Sequence, residues 1–360
     1  MHTSASISPK GGEKEPACST KNTAEKIVFA LTEESKKQYL PLFSSIGFPA
    51  MDYDWIDISS MDASAWEQTL FQIKPTVLVT CWGTPAIPEG FARSPHMSLR
   101  YVCHLAGGVK SIVPRHLIER GVLVSNWGTS ISYAVAEHTI LLVLGALRNL
   151  PAWNPCLDQW PKNITPFACL TLNTRSLRGR RVGLHGFGAI ARELVAMLKP
   201  FQVELASYSR GVPRSLFEQY GVRCCDSLEE LFSGSEVLIE CESLTQRSQG
   251  SVTEAILRLL PEDAVFVNVG RGRIVDQDAL ARLAFEGRLR VALDVYEQEP
   301  LPADSPLRRT PHTLLSPHIA GPTLDGFFIL SRFAAENIRS YLDGGKIQGQ
   351  VTLDAYDRST

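Results

Sequence analysis

Short β-rich runs alternate with helical patterns along most of the 360-residue chain, and this alternation limits the possible folds most strongly. Strands that alternate with helices form parallel sheets covered by helices. In the first half the predicted strands are IVFAL from 27, TVLVT from 76, RYVCHL from 100 and VLVSN from 122. From Arg180 the pattern repeats, starting with RVGLHG and ending with TLLSPH. The sequence therefore predicts an α/β protein with two doubly wound parallel sheets.

The chain divides into two such units, because its length exceeds that of one usual domain. The apolar stretch 132–150 is predicted to be a connecting helix, with Ser132 as a candidate cap. The Pro-, Asn- and Trp-rich segment 151–180 is predicted to be irregular, and residues 1–24 are predicted to be a mobile tail. The final helix, predicted over 324–342, is expected to return to the first unit.

Composition and charge exclude several classes of protein. There are 36 Lys and Arg residues against 38 Asp and Glu residues, so the net charge of −2 gives no electrostatic reason to bind nucleic acid or an acidic membrane. No segment approaches the roughly 20 apolar residues of a membrane span, and the N-terminus lacks a signal-peptide core. The eight cysteines include no CxxC pair, so we predict no metal site and a reducing, cytoplasmic environment.

A glycine-rich turn lies between the strand RVGLHG and the helix after it, in the pattern G-F-G-A-I-A. The first glycine permits a tight turn, the second lets a pyrophosphate approach the backbone, and the third small residue lets helix and strand pack closely. A flexible loop is the alternative, but strand, turn and helix follow the order that a dinucleotide site requires. We therefore predict coenzyme contacts from Gly186, Phe187, Gly188, Ala189, Ile190 and Ala191.

The acidic residue that bonds the ribose of NAD is expected about 20 positions later, at the end of the next strand. This chain has Ser209 and Arg210 there, with Arg214 close behind. A hydroxyl and a guanidinium can bond a 2′-phosphate, which a carboxylate would repel. The sequence thus predicts NADP as the coenzyme, with NAD as the second choice. The alternative is that these arginines are ordinary exposed loop residues.

Three later strands each deliver a polar side chain at their carboxyl end, where open α/β sheets bind ligands. Arg271 follows AVFVNVG, Asp294 lies near the end of RVALDV with Glu299 after it, and His318 follows TLLSP. Taken singly, each could be a solvated arginine, a surface acid or a buried histidine. Together they suit hydride transfer to a carbon that bears oxygen. A histidine can move the proton, a carboxylate can orient the imidazole, and an arginine can bind a substrate carboxylate.

The motifs around these residues resemble those of the D-isomer-specific 2-hydroxyacid dehydrogenases. The similar blocks are LAGGVKSI, NWGTSISYAVAEHT, GRRVGLHGFGAIAREL, SLTQRSQG, FVNVGRGRIVDQDAL, ALDVYEQEPLPADSPL and LSPHIAGPT. The resemblance implies that Arg271 binds the substrate carboxylate and carbonyl, that His318 is the acid and base, and that Glu299 is its partner. It implies that Gly107 and Gly108 present backbone N–H groups to the substrate. It also implies coenzyme contacts from Glu242, Ser243, Val269, Gly270, Gly321 and Asp294, the last at the nicotinamide carboxamide.

The resemblance further implies how the domains and subunits are arranged. A dinucleotide-binding Rossmann domain, residues 131–320, would be inserted in a flavodoxin-like substrate-binding domain made of residues 25–130 and 321–360. The cleft between them would close over a small-molecule 2-oxoacid and exclude water. Relatives usually dimerise through the region after YAVAEHT, so a homodimer is expected.

We therefore predict an NADP(H)-linked 2-oxoacid reductase, with glyoxylate or hydroxypyruvate as first candidate substrates. Glu299 stands where the formate dehydrogenase branch has Gln, which argues against formate. The alternative is a dinucleotide-sensing regulatory or corepressor-like protein, because one branch of the family retains the same residues. Lys110 replaces a common Asp, and either binds a second substrate anion or is solvated. Trp82 either narrows the pocket or only packs.

Overall fold

The computed structural model describes residues 25–45, 53–158, 172–311 and 313–358. Within these ranges the strands form two sheets. The first sheet contains β1 (Ile27–Leu31), β2 (Tyr53–Asp57), β3 (Val77–Thr80), β4 (Tyr101–His104) and β5 (Leu123–Ser125). The second contains β6 (Arg181–His185), β7 (Glu204–Tyr208), β8 (Arg223–Cys224), β9 (Val237–Glu240), β10 (Ala264–Asn268), β11 (Leu289–Leu293) and β12 (Thr313–Leu315).

Both sheets are parallel and doubly wound. The first has the order β2-β1-β3-β4-β5, and the second has the order β12-β11-β10-β9-β6-β7-β8. The winding of the second sheet reverses between β6 and β9, and ligands of such sheets bind at the carboxyl ends of the strands beside this reversal. Strands β1, β10 and β11 are buried along their whole length, which explains their continuous apolar sequences. The predicted fold class is confirmed.

Helices cover both sheets. They are α1 (Glu33–Ser45), α2 (Ala63–Ile73), α3 (Glu89–Arg93), α4 (Arg115–Glu119), α5 (Ser132–Leu147), α6 (Trp153–Asp158), α7 (Ala189–Leu198), α8 (Arg214–Tyr220), α9 (Leu228–Ser233), α10 (Glu254–Leu257), α11 (Gln277–Phe285), α12 (Gly326–Leu342) and α13 (Leu353–Arg358). No single helix among the described residues is long and apolar enough to cross a membrane. The bent pair α5 and 150–158 meets the length and composition test together, but ten of the sixteen α5 residues are buried inside the protein.

Helices α5 and α12 connect the two units. Helix α5 packs on α7 and on the second sheet, and α12 packs on α1 and β4 of the first sheet. We accordingly propose the boundaries at 130/131 and 320/321 that the sequence predicts, with the second sheet inserted between two parts of the first unit. The predicted tail, residues 1–24, lies outside the described residues.

Several local predictions were wrong. The cap of α5 is Ile131 and makes no side-chain bond, so Ser132 is already inside the helix. The helix ends at Leu147 because the chain then turns through Asn149, which has a positive φ of 53°. Segment 151–180 contains α6 before residues 159–171, which lie outside the described part. The sequence reading also missed β2, β8, α2, α3, α4 and α8, which are short or carry mixed polar and apolar residues.

Candidate active site

The glycine-rich turn has a geometry that only glycine satisfies at its first position. Gly186 has a φ of +101°, and a Cβ there would lie 2.8 Å from the Glu242 backbone. Gly188 precedes α7 and caps it without a side-chain bond, and a Cβ there would meet nothing within 4 Å. The start of α7 is therefore not capped by a side chain, and the space beside Gly188 is free for an anion to approach the helix end.

The other predicted residues of this turn shape the floor of the site. Phe187 is buried and stacks on Phe217 with ring centroids 4.4 Å apart. Ala191 is fully buried, so a larger side chain would separate α7 from the sheet. Ala189 and Ile190 begin α7. These residues fit a dinucleotide whose pyrophosphate lies at the start of α7.

A cavity of about 300 Å³ adjoins the turn and includes Ser209, Arg210, Glu242 and Ser243 in its wall. Ser209 Oγ donates a hydrogen bond of 2.7 Å to Glu242 Oε2. Arg210 Nε donates to the Tyr208 hydroxyl at 2.9 Å. Thus these four residues predicted for the coenzyme, together with Phe187 and Gly188 of the turn, lie around one cavity.

Arg214, by contrast, does not lie in this cavity wall. It is the first residue of α8, and its guanidinium is paired with Asp226 in an exposed ion pair. Its prediction as a 2′-phosphate ligand depended on treating 209–214 as a single loop. The helix missed in the sequence reading explains why Arg214 is directed elsewhere.

A buried acid–histidine pair lies beneath the coenzyme cavity. His185 Nδ1 and Glu240 Oε2 are 2.5 Å apart, and the two residues are neighbours in the β6–β9 register. Burial opposes the protonated form of His185, but the charge and hydrogen bond of Glu240, with the charge of Glu242, outweigh it and raise the pKa of His185. Glu240 Oε1 also accepts the backbone N–H of Glu242 at 2.9 Å.

Arg271 follows β10 on a tightly held loop. Asn268 Nδ2 donates to the Arg271 carbonyl at 3.2 Å, Asn268 Oδ1 accepts from Gly270 N at 3.0 Å, and Arg271 Nη1 donates to the Gly270 carbonyl at 2.7 Å. Burial lowers the pKa of Arg271, while the negative charge of Glu299 raises it. Both effects reflect the position of Arg271, whose side chain is half-buried and lies close enough to Glu299 to feel its negative charge.

Gly272 brings the Arg271 loop against the Glu299 loop. A Cβ on Gly272 would lie 1.9 Å from the carbonyl carbon of Tyr296. The two backbones are therefore in direct contact, and any side chain at 272 would force them apart.

Glu299 and His318 form a direct pair. His318 Nδ1 lies 2.6 Å from Glu299 Oε2, and Glu299 Oε1 accepts the Tyr296 backbone N–H at 3.0 Å. Because both carboxylate oxygens are engaged, the imidazole orientation is fixed. His318 has a positive φ of 52°, an uncommon conformation for a residue with a side chain. Backbone strain of this kind is concentrated at functional sites.

Asp294 holds the loop that carries His318. Its Oδ1 accepts from Ser316 Oγ at 2.6 Å and from Ile319 N at 2.9 Å, and its Oδ2 accepts from Ala320 N at 2.9 Å. His138 Nε2 lies 2.9 Å from Ser316 Oγ. The buried carboxylate of Asp294 is thus used within the protein, on both sides of His318.

Gly107 and Gly108 follow β4 at the carboxyl end of the first sheet. Gly107 is exposed, a Cβ there would meet nothing within 4 Å, and its carbonyl accepts from Asn126 Nδ2 at 2.5 Å. Trp82, the exposed residue after β3, packs edge-on against Trp127 with ring centroids 4.8 Å apart. Lys110 is exposed, and its Nζ lies 5.6 Å from the Tyr356 ring centroid and 3.5 Å from the Asp357 carbonyl on α13.

The sequence reading missed the two residues that support the site from below, His185 and Glu240. Each is a polar residue that ends a buried apolar run, VGL in β6 and VLI in β9. A charged residue there needs a partner, because an unpaired buried charge is too costly. The polar residue at the end of each strand could be recognised from the sequence, but the pairing of β6 with β9 could not.

Comparisons with known proteins agree with this architecture. The family model for the NAD-binding domain of D-isomer specific 2-hydroxyacid dehydrogenases matches residues 140–320. A glyoxylate reductase from Aeropyrum pernix is 30% identical over 249 residues, which cover 68% of this chain and 74% of that protein. A D-3-phosphoglycerate dehydrogenase from Methanocaldococcus jannaschii is 28% identical over 289 residues, 80% of this chain but 54% of that protein.

The chain therefore spans about half the length of the archaeal phosphoglycerate dehydrogenase. Among solved structures, D-mandelate dehydrogenase from Rhodotorula graminis shares the fold, with a TM-score of 0.75 and 21% identity over 91% of this chain and 97% of that one. The family model covers half of the sequence, and the predicted family is confirmed: the chain belongs to the D-isomer-specific 2-hydroxyacid dehydrogenases.

Proposed function

We propose that the protein reduces a small 2-oxoacid to the D-2-hydroxy acid with a nicotinamide dinucleotide, and catalyses the reverse oxidation. The observation that carries the proposal is the 2.6 Å contact between His318 and Glu299, beside the half-buried Arg271. The glyoxylate reductase from Aeropyrum pernix makes glyoxylate the first candidate substrate, and hydroxypyruvate, with one more hydroxymethyl group, the second.

His318 is the acid and base of this proposal. Its Nδ1 is bonded to Glu299, so Nε2 is the nitrogen that can meet the substrate oxygen. During reduction, protonated His318 gives its Nε2 proton to the oxygen of the carbonyl, and it takes that proton back during oxidation. Glu299 holds Nδ1 and fixes the orientation of the ring. When bound, the nicotinamide supplies or accepts the hydride.

Arg271 and the Gly107–Gly108 turn position the substrate. A guanidinium can bond the carboxylate and the carbonyl oxygen of one 2-oxoacid together, which sets the reacting carbon in place. The backbone N–H groups of Gly107 and Gly108 would hold the second carboxylate oxygen. Asp294, through Ile319 and Ala320, keeps His318 at its position.

The test is a panel of 2-oxoacids assayed with NADH and with NADPH on the whole chain. Glyoxylate and hydroxypyruvate should be reduced. Arg271→Lys removes the two-pronged contact and should raise KM for the 2-oxoacid more than it changes Kd for the coenzyme. Arg273→Lys, the exposed arginine two residues later, is the matched control and should leave both unchanged. No turnover of any 2-oxoacid, or equal effects of the two variants, would contradict the proposal.

Two kinds of group bear on the finer choice of coenzyme. The missing acid at Ser209 and the guanidinium groups of Arg210 and Arg247 in the cavity wall support NADP(H), as the sequence predicts. The Glu242 carboxylate in the same wall supports NAD(H). The proposed reaction requires only the nicotinamide dinucleotide part that NAD(H) and NADP(H) share.

The homodimer and the cytoplasmic location remain part of the proposal. Leu141, Trp153 and Leu157 are large apolar residues with roughly half of their surface exposed, on α5 and α6 after YAVAEHT. A partner subunit at this face would remove them from water. The described cysteines are all free, as a reducing compartment favours. The regulatory alternative is not favoured, since the named relatives are dehydrogenases and reductases.

A further inference from the structure

Ser209, which stands in place of the expected ribose-binding acid, has its hydroxyl hydrogen-bonded to Glu242. Ser209 lies 23 positions after Gly186, directly after β7, where a carboxylate would bond the ribose diol. A serine hydroxyl has a single proton to donate, and Ser209 Oγ donates it to Glu242 Oε2 at 2.7 Å. Ser209 could donate to a 2′-phosphate only by releasing Glu242.

The Glu242 carboxylate is held at this position by the strand ends around it. Its backbone packs so closely on Gly186 that a Cβ there would lie 2.8 Å from Glu242 Cα, and a Cβ on Gly270 would lie 3.0 Å from the Glu242 carbonyl oxygen. Its N–H donates to Glu240 Oε1 at 2.9 Å, and Glu240 is itself buried against His185. Glu242 Oε1 accepts from Ser243 N at 2.9 Å.

We propose that Glu242, which follows β9, is the carboxylate that recognises the adenosine ribose of the coenzyme, and that it selects NAD(H) over NADP(H). This inference deepens the proposed function, on which it rests. The ribose 2′- and 3′-hydroxyls are donors that a carboxylate accepts, whereas a 2′-phosphate brings further negative charge to the same oxygens. Glu242, just after the end of β9, thus supplies the acid that is missing after β7.

The arginines near Ser209 differ in whether they could neutralise the negative charge of a 2′-phosphate placed beside Glu242. Arg214 is paired with Asp226 outside the cavity, and Arg210 Nε is bonded to the Tyr208 hydroxyl. Arg247 lies in the cavity wall with Arg210, so the two guanidinium groups can bond phosphate groups of either coenzyme. The carboxylate at hydrogen-bond distance from Ser209 is the group that distinguishes a hydroxyl from a phosphate.

The experiment measures coenzyme binding directly, without a 2-oxoacid. Titration calorimetry on the whole chain gives Kd for NADH and for NADPH, and for adenosine 5′-monophosphate and adenosine 2′,5′-bisphosphate as fragments. The native protein should bind NADH at least about tenfold more tightly than NADPH, as one charge-assisted hydrogen bond allows. Glu242→Gln keeps the shape of the side chain and removes its charge. It should change the ratio of the two Kd values about tenfold in favour of NADPH.

Glu204→Gln is the matched control, because it removes one exposed acid at the opposite end of β7 and should leave the ratio unchanged. Tighter binding of NADPH by the native protein, or an equal shift in both variants, would overturn the proposal. If Glu242→Gln does not fold, the two adenosine fragments still decide on the native chain: a preference for the 2′,5′-bisphosphate would overturn it. Selective NADH binding without 2-oxoacid turnover would support Glu242 and contradict the proposed reaction.

Discussion

Two histidine–glutamate pairs lie at the carboxyl ends of strands in the second sheet, and they differ chiefly in burial. His318 and Glu299 are 2.6 Å apart, with 49% and 36% of their side chains exposed. His185 and Glu240 are 2.5 Å apart, with 4% and 0% exposed. The same chemical pair is thus open to a ligand in one place and enclosed by protein in the other.

The difference shows that pairing alone does not make a catalytic group. A proton can pass to a substrate only from a nitrogen that the substrate reaches, and His318 Nε2 lies on an exposed side chain. In the buried pair, Glu240 instead raises the pKa of His185 and holds the backbone of Glu242. The exposed pair is therefore suited to chemistry and the buried pair to support of the coenzyme site.

Replacing His318 should have the largest effect. His318→Gln removes the group that gives and takes the proton, so kcat should fall about 10²–10⁴-fold. Kd for NADH should be unchanged, since the residue is assigned to the substrate side. Steady-state kinetics and calorimetry measure the two quantities, and the exposed His96→Gln is the control. Retained turnover in His318→Gln would remove the distinction between the two pairs.

Breaking the buried pair should instead reduce stability. Glu240→Leu leaves His185 buried without its carboxylate, and the free energy of unfolding should fall by about 3 kcal/mol. The double variant His185→Leu with Glu240→Leu should recover part of this loss, because apolar side chains of similar volume can replace a buried ion pair. Urea unfolding of the native protein, the two single variants Glu240→Leu and His185→Leu, and the double variant measures the coupling. A single variant as stable as the native protein would show that the pair supports nothing.

The residues of the exposed pair could be predicted from the sequence, for physical reasons, whereas those of the buried pair were missed. Arg271 and Glu299 follow continuous buried strands, His318 follows the short strand β12, and parallel strands place their carboxyl ends at one edge, so the sequence pattern could group the three residues. Likewise, the turn at Gly186 was recognisable because a positive φ and close backbone contact leave no other residue type.

The residues around the expected ribose-binding position could not be predicted from the sequence in the same way. Ser209 and Glu242 are 33 positions apart, and their bond depends on the order of β7, β6 and β9, which no local pattern gives. The reading also treated Arg214 as a loop residue because the short helix α8 has mixed polarity. What remained hidden was side-chain contact across strands, which depends on register as well as on residue type.

A third histidine sharpens the comparison. His104 is as buried as His185, but its Nδ1 lies 2.9 Å from the Thr80 hydroxyl and not beside a carboxylate. Burial lowers the pKa of His104 to about 4. Because the unfolded chain takes up this proton near pH 6.5, stability should fall as the pH drops from about 6.5 toward 4. Between pH 7.5 and 5, the free energy of unfolding of the native protein should fall about 2 kcal/mol more than that of His104→Gln. Equal losses would show that His104 titrates normally.

The smallest expected effect comes from changing the carboxylate of the exposed pair. Glu299→Gln can still bond His318 Nδ1 but removes the negative charge beside the ring that gives the proton, so kcat/KM for reduction should fall about tenfold. Kd for NADH should be unchanged, because Glu299 contacts His318 and does not line the coenzyme cavity. Glu297→Gln, an exposed acid on the same loop, should leave kcat/KM unchanged. If both variants behave alike, general loss of negative charge explains the effect, and Glu299 supports the histidine only by shape.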